Sequence, residues 1–205
     1  MEFRPPVTLD ARYVQLVPLT HGHARALAHA GTDPEIWRWM RYGYLGNLET
    51  MAGTIDKMLA WQAEGTDLAF AILLKPSLTP VGMTRYLGID RDNQVVEVGG
   101  TWLARSLWRT PVNTDGKRAM LSNAFDREGC ERVQLKTDVR NVRSQRAIER
   151  LGAVREGILR HHIRLQDGTY RDSVIYGILR SEWPNVRQRL DDALRRPWNP
   201  PTVVA

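Results

Sequence analysis

The chain is expected to fold as a single α+β domain, because its hydrophobic pattern changes period several times along 205 residues. Three strand-like runs follow one another between residues 68 and 103, parted by Pro76 and Pro80 and then by a turn at Asp90 to Asn93. A helix–strand–helix rhythm comes next. It leads into two runs joined at Gln166-Asp167-Gly168, where Asp-Gly is a strong hairpin signal.

Taken in order, Ala11 to Thr20 alternates as a strand, with Val14, Leu16 and Pro18 on one side. Asp33-Pro34 reads as an N-cap and a first-turn proline opening a helix through EIWRWM. Met51, Ile55, Met58 and Leu59 place a longer helix over Leu48 to Glu64, stopped by Gly65. Strands follow at Leu68–Leu74, Val81–Ile89 and Val95–Leu103, an antiparallel meander. In the second half, Met120, Leu121, Ala124 and Phe125 form the buried stripe of a helix over Thr114 to Glu128, stopped by Gly129. Arg132 to Val139 alternates as a strand, and Asn141 to Leu151 is helical up to Gly152. The hairpin strands fall near Gly157–Leu165 and Tyr170–Leu179, and an amphipathic helix covers Pro184 to Leu194. Residues 195–205, RRPWNPPTVVA, form a proline-rich tail that reads as loose, or as a segment that docks on a partner.

Composition narrows the function classes. Hydrophobic residues are 42% and charged residues 25%, an ordinary soluble balance. The longest apolar run, LAFAILL at Leu68 to Leu74, is too short to span a bilayer, and the first twenty residues lack a secretory pattern. A single cysteine, Cys130, excludes an internal disulfide and fits a reducing, cytoplasmic setting. The net charge of +6 suits an anionic ligand, and phosphorylated cofactors and nucleic acid satisfy it equally.

The stretch WLARSLWRTPVNTDGKRAML, Trp102 to Leu121, carries the first chemical signal. It passes from a strand to a helix N-terminus, whose unpaired amides and partial positive charge favour anions. Arg105 and Arg109 flank it, and Thr110 and Thr114 offer hydroxyls. Gly99 and Gly100 interrupt the preceding strand, a mark of a bulge or a close backbone approach. A broken ladder offers free main-chain groups to an amide-bearing ligand arm. The competing reading is a plain connection with solvent-facing arginines, and this stretch alone does not separate the two. The second helix adds weight: Asn141 is a good N-cap, and Ser144, Ile148 and Leu151 share its face. With Ile148 and Leu151 directed at the sheet, Ser144 points inward as well, while Arg143, Arg146 and Arg150 occupy another face.

These stretches resemble the GNAT superfamily of acyl-CoA-dependent N-acyltransferases, nearest its RimJ/RimL-like branch of ribosomal-protein N-terminal acetyltransferases. VEVGGTWL, RTPVNTDGKRAML and TDVRNVRSQRAIERLGAVREG carry the resemblance, with support from RDSVIYGILRSEW, and it extends over roughly residues 7–194. It implies a mixed, mostly antiparallel sheet, flanked by helices and splayed between two central strands where acetyl-CoA enters. It implies an acetyl transfer to a primary amine, of a protein N-terminus or a small molecule, by direct attack in a ternary complex. The pyrophosphate loop of the family follows Gln/Arg-x-x-Gly-x-Gly/Ala; Trp108, Pro111 and Asn113 stand at those positions, and Arg109 is one place late. On this resemblance Glu97 is the general base and Ser144 protonates or orients the departing thiol. Trp102 or Leu103 offers a backbone N–H to the carbonyl oxygen. Arg109, Thr110, Val112, Asn113 and Thr114 cradle phosphates, Asn141 meets the pantetheine arm and Arg146 a cofactor phosphate. The family's frequent tyrosine acid is absent between Asn141 and Gly152. A homodimer is common for such domains; no metal and no membrane association is implied.

Two rival readings remain in view. A nucleic-acid-binding module accounts for arginines interleaved with tryptophans, but not for Gly99-Gly100 or an inward Ser144. A related fold that binds CoA without catalysing accounts for all of it. Elsewhere, His161 among Leu159, Ile163 and Leu165 reads as a packed residue, His162 as lining an acceptor groove, and Cys130 as a small core residue. His21-Gly22-His23 lacks companion ligands for a metal. Trp37, Trp39 and Met40 read as core, or as the wall of an acceptor site.

Overall fold

A computed structural model describes residue 1, residue 3 and residues 7–201. The last four residues of the proline-rich tail, 202–205, lie outside them. In chain order the elements are β1 (Leu9–Asp10), β2 (Val14–Pro18), α1 (Ala24–Ala30), α2 (Leu48–Ala63), β3 (Leu68–Leu74), β4 (Thr79–Asp90) and β5 (Val95–Leu103). Then come α3 (Val112–Ser122), β6 (Arg132–Asp138), α4 (Val142–Leu151), β7 (Val154–Arg164), β8 (Tyr170–Leu179) and α5 (Trp183–Leu194).

The eight strands form one sheet in the order β1-β2-β3-β4-β5-β6-β8-β7. Every neighbouring pair is antiparallel except β5 and β6, which run parallel. Two cores cover its faces. On one, Phe70, Val96 and Val133 pack with Met120 and Leu121 of α3, Ile148 of α4 and Leu190 of α5. On the other, Ala71, Met83 and Trp102 pack with Leu27 of α1 and Met51, Ile55 and Met58 of α2. β3, buried at every position, is inside both layers, which explains its unbroken apolar run.

The parallel pair is the expected splay. β5 and β6 share only the register Val95↔Arg132, Val96↔Val133 and Glu97↔Gln134. Beyond Glu97 and Gln134 the strands part, β5 staying on β4 and β6 on β8. Gly99 and Gly100 sit at this parting. The β4–β5 register slips between Met83↔Trp102 and Arg85↔Gly99, so β5 carries an extra residue there, a bulge. Gly100 has φ +59°, which a side chain tolerates poorly, and a Cβ at Gly99 would stand 2.8 Å from Glu97 Oε1.

Several local expectations are corrected. The run after Pro34 closes as a single 3₁₀ turn, Pro34–Ile36, as the chain bends there to pack the Trp37 ring against Trp102, centroids 4.9 Å apart and tilted by 55°. α3 starts at Val112, two residues earlier than Thr114, and its tail continues as a π-helical turn over Asn123–Arg127. His161 is exposed with φ +50° and stacks on Tyr170, because a bulge between Leu159 and Ile163 breaks the alternation of β7.

Buried Asp115 ties α3 to the turn before β2: Oδ2 accepts from the amides of Tyr13 at 2.7 Å and Val14 at 3.1 Å. Asp115→Ala strands these donors in the core and is expected to lower stability by about 2–4 kcal/mol, read as a reduced urea midpoint at unchanged m-value.

Candidate active site

The parted strands open into a cleft of about 750 Å³ between the two cores. That is the size of a pocket for a substantial small molecule. Its walls come from β4, β5, β6, β7 and β8, the N-terminal part of α3, α4 along its length, the loop between α1 and α2, and the chain from the end of α5 to Trp198.

At the α3 end, the chain leaves β5 through a 3₁₀ turn, Arg105–Leu107, and enters the helix at Pro111. Arg109 takes φ +64°, the left-handed conformation that a glycine-rich loop would hand to glycine. So the turn is made without glycine, at a cost of order 1 kcal/mol for the strained arginine. Thr110 Oγ1 donates to Leu107 O at 2.7 Å and accepts weakly from the Val112 amide at 3.4 Å. Asp115 N is the first α3 amide bonded within the turn, to Pro111 O at 2.9 Å. The amides of Asn113 and Thr114 therefore have no acceptor among the described residues. Trp108, held by Nε1–H donation to Leu103 O at 3.1 Å, has two guanidiniums over its ring: Arg105 at 4.1 Å and Arg143 at 3.2 Å from its centroid.

Along the cleft, Trp102 and Leu103 line the β5 wall. Trp102 Nε1 is buried with no partner among the described residues. Ala104 N donates to Val81 O on β4 at 2.8 Å, so strand alternation turns the Leu103 N–H to the other side, into the gap. Opposite, the Asn141 carboxamide caps α4 by accepting from the Ser144 amide at 3.1 Å. Ser144 is half-buried, lines the cleft, and its hydroxyl has no partner among the described residues.

Glu97 closes the apex where the strands part. Its Oε2 lies 2.7 Å from Lys136 Nζ and 3.3 Å from Gln134 Nε2, and its side chain is 11% exposed. On the same face Arg85 pairs with Asp67 and donates to Tyr42 Oη at 2.7 Å, while its Nε lacks a partner among the described residues. Burial pushes both Asp67 and Tyr42 up, with the Arg85 charge opposing in each case. Behind β5, Lys117 of α3 is buried, donates to Thr101 Oγ1 at 2.6 Å and is pushed down to about 7 by burial.

Of the residues expected at the site, the cleft gathers Glu97, Ser144, Trp102, Leu103, Arg109, Thr110, Asn113, Thr114 and Asn141. Val112 lies in the core instead and offers only its main chain. Arg146 is exposed and outside the cleft lining; Arg143 and Arg150 of the same helix line it. Sequence reasoning passed over Tyr42, Arg85, Lys117, Lys136 and Arg171, all in the lining. A lysine inside an α3 stripe of Val112, Met120 and Leu121 was the one available signal, for Lys117. Among the described residues no group of three or more metal-ligating side chains exists, and no helix is long and apolar enough to cross a membrane.

This architecture has known counterparts. A solved structure from T. thermophilus, described as a "putative acetyltransferase", is 36% identical, with a TM-score of 0.85, 94% of this chain and 99% of that one being covered. The RimJ structure from Mycobacterium smegmatis, in complex with CoA-disulfide, shares the fold at 21% identity and a TM-score of 0.79, over 95% of this chain and 98% of that one. A Bacillus subtilis (strain 168) relative named "Putative ribosomal N-acetyltransferase YdaF" is 29% identical over 102 residues, which is 50% of this chain and 55% of the relative. The chain thus spans about half the length of that relative. The family model described as acetyltransferase (GNAT) domain matches residues 14–154, and the chain belongs to the GNAT family of acetyltransferases, resembling its RimJ/RimL-like branch.

Proposed function

We propose that the protein transfers an acetyl group from acetyl-CoA to a primary amine, a protein N-terminus or a small amine, in a ternary complex. The observation that carries this is the unzipped β5–β6 pair, whose ladder stops at Glu97↔Gln134, near a helix tip with amides unpaired among the described residues. The residues fit the cofactor. The Asn113 and Thr114 amides, with Arg109 and the stacked Arg143, suit a pyrophosphate, with Thr110 buttressing the turn. The orphaned Trp102 Nε1, the open edge of β5 and the Asn141 side chain suit an amide-bearing pantetheine arm. Acetyl-CoA supplies an activated thioester when bound, and the rest of the chemistry falls to this chain.

The attacking amine must be neutral. An α-amine, with an ordinary pKa near ~8, is about a tenth neutral at pH 7, whereas a lysine near ~10.4 is neutral about once in a few thousand. A weak carboxylate base therefore serves an N-terminus better than a lysine. Glu97 stands at the apex of the splay on the acceptor side and takes up that proton, directly or through water. Leu103 N–H faces the gap and receives the carbonyl oxygen as it gains charge. Ser144, whose hydroxyl is unengaged among the described residues, hands a proton to the departing thiolate or orients it. The names of the relatives, ribosomal N-acetyltransferase among them, favour a protein N-terminus as acceptor.

Calorimetric titration with acetyl-CoA, followed by mass-spectrometric screening of peptides with free N-termini, tests the reading. The expected result is saturable binding and a peptide gain of one acetyl group. Failure to bind acetyl-CoA would remove it, and binding without transfer to any amine would leave a CoA-binding protein in its place.

A further inference from the structure

Arg171 on β8 is 7% exposed and lines the cleft on the same side as Glu97 and Arg85. The only hydrogen bond of its side chain among the described residues is Nε–H donated to Ser173 Oγ at 3.0 Å. Among those residues, no carboxylate lies within ion-pair distance of its guanidinium. The acids whose charge reaches it are engaged elsewhere. Asp138 Oδ1 accepts from Arg140 N and Nε at 2.9 Å and Oδ2 from Nη2 at 2.7 Å, and Glu97 Oε2 is held by Lys136 at 2.7 Å. Arg41 adds a further positive charge, and burial lowers the pKa of Arg171. Ile163 on β7 is its cross-strand partner, the Arg171 charge also reaches His162 of β7, and Lys136 on β6 and Tyr42 from the α1–α2 loop, whose carbonyl is bonded at 2.7 Å by Gln166 of the β7–β8 turn, line the same cleft.

A buried guanidinium without an anion is expensive, and its fork of N–H donors matches a carboxylate in geometry. We infer that Arg171 receives a carboxylate carried by the acceptor, so that the preferred substrate is an acidic primary amine. This rests on the acceptor reading above: Glu97 handles the amine, and Arg171 reads the acid. The acid is either a side-chain carboxylate near a peptide N-terminus or the α-carboxylate of a small amine.

The test separates these sources and stands apart from turnover. CoA-saturated protein is titrated with two octapeptides identical except for Ser-Asp or Ser-Asn at the free N-terminus, and with serine and serinamide. The carboxylate-bearing member of at least one pair is expected to bind tenfold or more tightly than its partner. Arg171→Gln should erase that preference without changing CoA affinity, which also reports that the variant is folded. Arg171→Lys, which keeps the charge but not the fork, should retain part of it. Equal binding within both pairs, no binding of any probe, or an equal loss for all probes in Arg171→Gln would each overturn the inference. The wild-type pairs decide the matter even where a variant does not fold. A preference without acetyl transfer would instead count against the transferase reading alone.

Discussion

Glu97→Gln is expected to lower kcat for amine acetylation by about 10²–10³-fold while leaving CoA affinity nearly unchanged. The substitution keeps the side chain's size in a tight place, since a Cβ at Gly99 would already approach Oε1 at 2.8 Å. It keeps a carbonyl oxygen that Gln134 Nε2, now 3.3 Å from Oε2, can donate to. What it removes is the capacity to take up a proton and the charge facing Lys136. The α3 end of the cleft, at the amides of Asn113 and Thr114, carries none of the contacts that Glu97 makes and is not touched. Rate against pH gives a signature that a merely structural role lacks. Without a base, the residual rate depends on the fraction of acceptor already neutral, and should climb about tenfold per pH unit below the α-amine's ordinary ~8. Full turnover in the variant would remove Glu97 from catalysis. A parallel loss of CoA binding would assign it to holding the apex together.

The fold was largely legible in the sequence wherever local period and local punctuation agreed. LAFAILL between turn signals is a strand, and Asn141 followed by Ser144, Ile148 and Leu151 is a capped helix, in the sequence as in the structure. The misreadings share a cause, which is tertiary demand overriding a local pattern. The aromatic run after Pro34 has helical spacing, yet Trp37 is needed against Trp102. His161 sits in an alternating string, yet a bulge in β7 turns it out.

The candidate site divides in the same way. Gly99-Gly100, Glu97, Thr110, Asn113 and Thr114 belong to one strand–loop–helix unit, and neighbours in sequence stay neighbours in space. The part of the cleft lined by Tyr42, Arg85, Lys136 and Arg171 is assembled from four separate segments brought together by the fold, which sequence periodicity does not carry. Helix faces were readable but their targets were not: Arg143 and Arg150 reach the cleft while Arg146 does not. Nor does an arginine announce a left-handed turn, so the way Arg109 replaces a glycine is visible only in the backbone.

Lys117→Met is expected to stabilise the folded protein at neutral pH and to lose that advantage as pH rises. Lys117 is 7% exposed, and burial pushes its ammonium down to about 7 from 10.5, with the Glu97 charge opposing the shift. Between those values the unfolded chain holds a proton on this residue that the native protein does not. Native stability therefore rises with pH through that window. The penalty is largest at and below about pH 7 and vanishes above the unfolded value, where both states are neutral. Methionine has nearly the same length as lysine and carries no charge to desolvate. Thr101 Oγ1 loses the lysine but keeps Thr84 Oγ1 at 2.7 Å, so no buried hydroxyl is left unpaired. Allowing for imperfect repacking, the gain should be about 2–4 kcal/mol at pH 7, shrinking towards zero by pH 10. The difference in urea unfolding free energy between the two proteins, measured at several pH values, isolates the one residue from every other titration in the fold. A difference that does not change with pH would mean that Lys117 stays charged in the native protein, offset by Glu97 across the cleft, and would make it a cation of the site rather than a cost to the fold.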